Sequence, residues 1–268
     1  MILAIDIGNT HTVFGIYDKQ KLLGDWRVTS FVSRTEDELG ALVSTFCESA
    51  GIALKKITSV GISSVVPNLT DIASLMSRKY FSIEPVIVSA DLPLGLPIRY
   101  DDPRAVGADR LCNAVAAHAK YKGPLVIVDF GTATTFDVVS ERGEYLGGVI
   151  AAGIETQAGE LHRRAAKLPK IDLRFPPKII GTNTVHSMQA GILYGALDAM
   201  ETMIRRISKE LDDYPTVIAT GGFSGLMTQH SKLINKCEPA LVLEGIRLIV
   251  ERIEGAKQKP ALKTVKKK

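Results

Sequence analysis

The sequence predicts an α/β protein of two similar lobes, each a mixed sheet flanked by helices, and three observations predict it. A strand–bend–strand–turn–strand unit with an Asp-x-Gly bend opens the chain, at Met1 to Arg27. The same unit returns 123 residues later, as Leu125-Val-Ile-Val-Asp129-Phe-Gly131-Thr132-Ala133-Thr134-Thr135. Each copy is followed by alternating helical and strand-like segments. Read without a gap, the repeat places Thr12 against Thr135, the turn Tyr17 to Lys21 against Ser140 to Glu144, and Leu23-Gly24 against Leu146-Gly147. A repeat of this length is a statement about architecture.

The elements follow in order. Ile2 to Ile7 is a short apolar run, Val13 to Tyr17 a second and Leu22 to Val28 a third. A tight bend around Gly8-Asn9 turns N–H groups and hydroxyls outward, as phosphate oxygens require, and Asp6 beside it can hold a Mg²⁺ ion or its water. Alone, the bend reads equally well as an ordinary hairpin with an Asp at its corner. Ser33 to Gly51 is helix-like, with Glu36, Asp37 and Glu38 in its first turn. Ile57 to Ser63 reads as a strand, Pro67 to Tyr80 as a helix and Glu84 to Val88 as a strand. Leu92 to Asp102, with Pro93 and Pro97 inside it and Pro103 just after, reads as a loop and not as helix or central strand. In the second half, Thr184 to Leu211 reads as one long amphipathic helix, Thr216 to Thr220 as a strand entering Gly221-Gly222, and Pro239 to Ile253 as a closing helix. The duplicated pattern resembles the actin-like ATPase and sugar-kinase superfamily, whose lobes have a ribonuclease H-like fold. The expected lobes are 1–117 and 118–254, with 255–268 a disordered basic tail.

Composition sets the class. With 268 residues and 46% hydrophobic content, the chain can bury two cores. No apolar run reaches membrane-spanning length, and Met1 leads directly into a strand. Cys47, Cys112 and Cys237 are far apart and form no CxxC, which argues against a disulfide framework or zinc site and fits a reducing cytoplasm. The net charge of +4 owes everything to six lysines in the last fourteen residues. The body has no basic stripe, so neither nucleic acid nor a membrane is an expected partner.

A second constellation follows the proline-rich loop: Tyr100-Asp101-Asp102-Pro103-Arg104-Ala-Val-Gly107-Ala108-Asp109-Arg110. Leu111 to Tyr121 has helical composition, which puts Gly107 to Arg110 near a helix N-terminus. Asp109 there reads as a helix-capping acid or as a general base for a substrate hydroxyl, and the physics alone favours the cap. Arg110 offers a fixed cation for a carboxylate or phosphate.

Asp6-x-Gly8-Asn9-Thr10, Gly107-x-Asp109-Arg110, Asp129-x-Gly131-Thr132-x-Thr134, Gly147-Gly148 and Gly181-x-Asn183-Thr184 occur in that order. Together they resemble the type III pantothenate kinases, from Met1 to about Val250. The resemblance implies transfer of the γ-phosphate of ATP to the primary hydroxyl of pantothenate, the first committed step towards coenzyme A. It also implies Mg²⁺, a monovalent cation (K⁺ or NH₄⁺), and a homodimer with the site near the interface. Carried over by position, Asp6, Ile7, Gly8, Asn9, Thr10, His11, Thr12 and Val13 would form the ATP phosphate loop, with Asp6 serving Mg²⁺ and Thr132 a further ATP contact. Asp129 would take the K⁺. Tyr100, Gly107, Ala108, Asp109, Arg110 and Thr184 would hold pantothenate, with Asp109 the catalytic base. The chain departs from the family's usual pattern at Ala152, where proline is usual, and at Ala190, where serine is. Two other readings stay open: a kinase of another small alcohol in the same superfamily, and a nucleotide-binding regulator without catalysis.

Overall fold

The computed structural model describes residues 1–258. The chain divides into two compact units. One comprises Met1–Gly95, Gly107–Val115 and the residues from Val242 onward; the other comprises Leu96–Val106 and Ala116–Leu241.

The first unit begins with β1 (Ile2–Ile7), β2 (His11–Asp18) and β3 (Lys21–Thr29), paired antiparallel. Helix α1 (Glu36–Ser49) follows, opened by a reciprocal capping box between Thr35 and Glu38. Then come β4 (Ser59–Ser64), α2 (Pro67–Phe81) and β5 (Val86–Ile87), with β4 parallel to both β1 and β5. The sheet order is β3-β2-β1-β4-β5, a mixed sheet. Side chains alternate across each strand. Leu3, Ile5, Phe14, Ile16, Val60 and Ile62 face one core, shared with Leu39 and Val43 of α1 and Leu69, Ala73 and Met76 of α2. The intervening residues face the other way, where Ile246 and Val250 of the last helix lie over Gly61.

The second unit repeats the plan. Strands β6 (Leu125–Phe130), β7 (Ala133–Val139) and β8 (Tyr145–Ala152) are antiparallel, while β9 (Thr216–Gly221) is parallel to β6, with β10 (Lys236–Cys237) beyond it. The order β10-β9-β6-β7-β8 mirrors the first sheet strand for strand. In order along the chain, α3 (Ala108–Tyr121) precedes this unit's strands, α4 (Ile154–Arg164) and α5 (Thr184–Gln189) follow β8, and α6 (Gly195–Leu211) and α7 (Ser224–His230) flank β9. Helix α8 (Leu241–Gln258) closes the chain.

Several sequence expectations need correction. The gapless repeat is gapless only in sequence. In the first hairpin Ile7 pairs with Thr12, but in the second Phe130 pairs with Thr134. The first bend thus holds one more residue, and the turn after β7 holds one more than the turn after β2, which restores the offset at the third strand. The true counterpart of Thr12 is Thr134, and both are buried. The single helix expected over 184–211 is interrupted by a π-helical turn, Ala190–Tyr194, which begins at the departing residue Ala190. The strand expected over 84–88 shrinks to Val86–Ile87. The closing helix runs past Ile253 to Gln258, so the first four residues of the basic segment are helical. The rest of the expected disordered tail, 259–268, lies outside the described residues.

Candidate active site

In the first unit β1 brings Asp6 to the carboxyl end of the sheet, where open α/β sheets present groups to ligands. Its register partners are Val13 on β2 and Ser63 on β4. The Ser63 hydroxyl donates to Asp6 Oδ1 at 2.9 Å and fixes that carboxylate. The bend beyond it is closed by Gly8 N–H donating to His11 O at 3.0 Å. Along 6–13, Asn9 and Thr10 at the apex are exposed, Asp6, Gly8, His11 and Val13 are half-buried, and Ile7 and Thr12 are buried.

Asp109 lies in the first turn of α3. Its Oδ1 accepts from the Arg110 N–H at 2.8 Å, and Leu111 N–H closes the turn on Gly107 O at 3.1 Å. Asp109 thus satisfies one otherwise free N–H of the first turn as a residue of the helix itself. Arg110 is buried, 7% exposed. What joins the two segments is Cys112, one turn along α3. Burial, and then the charges of Asp6 and Asp109, push its thiol well above the usual range, with the Ser63 hydroxyl opposing. Two carboxylates from distant points of the sequence thus act electrostatically on one buried thiol of the same unit.

In the second unit Asp129 is the penultimate residue of β6, in register with Thr135 and Thr220. Gly221 follows with φ +84°, and a Cβ there would stand 2.4 Å from Asp129 Oδ1 and 2.7 Å from Phe130 O. Only glycine gives the carboxylate this room. Thr132 is exposed at the bend apex, and its carbonyl accepts from Gly153 N–H at 3.0 Å and from the Thr156 hydroxyl at 2.6 Å. Thr184 begins α5, and the Asn183 side chain caps that helix by accepting from His186 N–H at 2.9 Å.

Tyr100 also belongs to the second unit, although its motif continues into the first. Its loop is not free: Arg99 N–H donates to Tyr145 O, and Tyr145 N–H to Pro97 O, both at 2.8 Å. The Arg99 side chain pairs with Glu144. Tyr100 borders a groove of about 490 Å³ lined also by Arg99, Asp101, Leu146, Ile207 and Glu210. The expected site residues therefore fall into two sets, 6–13 with 107–110 in one unit, and 100, 129, 132 and 184 in the other.

Sequence reasoning missed Ser63, Thr220, Cys112, Gly221 as a neighbour of Asp129, and the braces at Ser30, Gly153 and Thr156. The hydroxyl residues opposite the two aspartates become visible only once parallel strands are paired. Ser30 and Gly153 are separated by the repeat offset of 123, a signal the sequence did contain.

The profile of type III pantothenate kinases matches residues 2–206. The chain belongs to the type III pantothenate kinase family. It is 49% identical over 252 residues to the type III pantothenate kinase of Geobacter sulfurreducens, covering 94% of this chain and 99% of that one. It is 46% identical to that of Moorella thermoacetica, with coverage of 94% and 99%. Membership makes the chain a phosphotransferase of the kinase class. Among solved structures, a Baf family protein from Campylobacter jejuni superposes with TM-score 0.60 at 18% identity, covering 94% and 99% of the two chains. The ROK hexokinase of Thermus thermophilus does so with TM-score 0.53 at 14% identity, again covering 94% and 99%. At that identity the likeness concerns the fold, and it agrees with the duplicated actin-like architecture. Among the described residues no helix is long and apolar enough to cross a membrane.

Proposed function

We propose that the chain phosphorylates the primary hydroxyl of pantothenate with ATP, the entry step of coenzyme A synthesis. The observation that carries the reading is the match of residues 2–206 to the type III pantothenate kinase profile, on a chain 49% identical to one such kinase and with Asp6 and Asp109 in one unit.

In this reading the bend Asp6 to Val13 binds the ATP phosphates through its outward N–H groups, and Thr132 supplies a further nucleotide contact. Tyr100, Gly107, Ala108, Arg110 and Thr184 hold pantothenate, with the Arg110 guanidinium against its carboxylate. Asp109 takes the proton of the primary hydroxyl as that oxygen bonds the γ-phosphorus and the bond to the β-phosphate oxygen breaks, releasing ADP. Its Oδ1 already accepts from the Arg110 N–H, which aims the carboxyl group. Positioning and charge neutralisation carry most of the catalysis in such in-line transfers.

The donor groups suit the implied cations. Asp6, steadied by Ser63, is a hard oxygen donor for Mg²⁺ or its waters. Asp129 Oδ1 and Phe130 O flank the same glycine, and a carboxylate with a neighbouring carbonyl suits a large, weakly hydrated K⁺ or NH₄⁺. These cations would neutralise phosphate charge. A homodimer and a cytoplasmic location rest on the family resemblance, and light scattering tests the former.

ADP release from the purified chain with Mg-ATP, with and without pantothenate, in K⁺ and again in Na⁺, tests the reading. Pantothenate-dependent turnover that needs K⁺ is the expected result. ATP binding without turnover overturns it in favour of a regulator, and turnover with a different alcohol in favour of another substrate.

A further inference from the structure

The geometry points to Ser30 as the positioning residue of the ATP-binding bend, an inference that rests on the phosphate-loop reading of Asp6 to Val13. Ser30 follows β3 and makes three hydrogen bonds, all to that bend. Its N–H donates to Thr10 O at 3.0 Å, its hydroxyl donates to Gly8 O at 2.7 Å, and the same oxygen lies 2.8 Å from Thr12 Oγ1. The bend's exposed apex, Asn9-Thr10, is thus gripped on both sides by one half-buried residue.

The second unit carries the same brace. Gly153 stands 123 residues after Ser30, and its N–H donates to Thr132 O as Ser30 N–H does to Thr10 O. Here the bend is one residue shorter and comes closer. A Cβ on Gly153 would stand 2.2 Å from Gly131 O and 2.4 Å from Thr132 O, which leaves no space for a serine. The side-chain bond is supplied instead by Thr156, whose hydroxyl donates to Thr132 O. Two bends of different length are tied at the same place, with the hydroxyl moved along the chain to suit. Ser30 acts through the bend: by holding the Gly8 and Thr10 carbonyls it fixes the course of the Asn9-Thr10 apex, whose N–H groups would meet the phosphate oxygens.

The test is steady-state kinetics with both substrates, plus titration of a non-hydrolysable ATP analogue without pantothenate, on Ser30→Ala, Ser30→Gly and Ser30→Thr, with Asp6→Asn as the reference for the loop itself. Losing the hydroxyl should raise the KM for ATP and the Kd of the analogue by about tenfold, the scale of one or two hydrogen bonds, while the KM for pantothenate stays within about twofold. Ser30→Thr should restore both. Ser30→Gly places in the first unit the residue the second already uses, and it keeps the test decisive if Ser30→Ala folds poorly. Nucleotide binding unchanged in the Ser30 variants but altered in Asp6→Asn overturns the role of Ser30 and leaves the loop reading standing. No change in any of them overturns the loop reading itself. Equal losses for ATP and pantothenate, or a Ser30→Thr variant as impaired as Ser30→Ala, would make Ser30 a general structural residue and overturn the inference.

Discussion

The Tyr145 hydroxyl donates to Asp137 Oδ1 at 2.7 Å, and both residues are fully buried. The Thr135 hydroxyl reaches the other carboxylate oxygen at 3.3 Å. The same tyrosine holds residues 97–99 through its backbone, so the residue that bonds the buried carboxylate also anchors the loop of Tyr100.

Tyr145→Phe removes a donor from a buried carboxylate. The expected cost is about 1–3 kcal/mol in denaturant unfolding. Because the loop bonds are backbone bonds, they survive, and kcat should change little. A variant as stable as the parent would show that the Tyr145 hydroxyl carries no weight at Asp137.

Asp109→Asn keeps an oxygen able to accept from Arg110 N–H but loses the base. Turnover should fall about 10²- to 10⁴-fold, with the thermal midpoint close to that of the parent. Asp109→Ala should lose turnover and, with the helix-start bond gone, about 1 kcal/mol of stability as well. An Asn variant retaining near-parental kcat removes Asp109 from the chemistry.

Gly221→Ala should act on Asp129 from outside. The new methyl group meets Asp129 Oδ1, and the left-handed backbone costs about 1–2 kcal/mol more. Potassium stimulation should weaken in this variant and in Asp129→Ala alike. An undiminished response to K⁺ in both would place the cation elsewhere.

His118 provides a pH signature. Burial, then the charge of Lys122, lowers its pKa below the ordinary 6.5. The folded chain therefore binds this proton less tightly than the unfolded chain does. Its contribution to stability is full above about pH 6.5 and declines as the pH falls through that value. His118→Gln should flatten the stability profile between about pH 5 and 7. An equally steep profile in that variant would assign the dependence to other groups.

The sequence made the plan of the fold legible because a duplicated strand unit leaves paired motifs, Asp6-x-Gly8 and Asp129-x-Gly131, that survive divergence. It hid the register because the extra residue in the first bend is cancelled by an extra residue after β7, and Thr12 then matches a threonine in either alignment. Asp6 and Asp129 stood out because each closes an apolar strand run with a charge, and Asp109 only through its place in Gly107-x-Asp109-Arg110, since an acid at a helix start is ordinary. Ser63 and Ser30 did not, since a serine announces nothing until its partner across the sheet is known. The π turn was invisible for a related reason: Ala190 to Tyr194 has ordinary helical composition, and the widened turn is a matter of hydrogen-bond spacing.

The last helix has a consequence for synthesis. Leu243 packs against Gly15, Ile246 and Val250 against Gly61, and Arg247 lies over the Tyr17 ring while paired with Glu244 and Glu251. The face of the sheet made first is thus covered by residues of a helix that follows every strand of the second unit. On the ribosome, the second unit has all its strands and helices before the first has its lid. The strands that open the chain therefore cannot complete their packing until α8 has been made, and a chain cut before Leu241 would leave Gly15 and Gly61 uncovered.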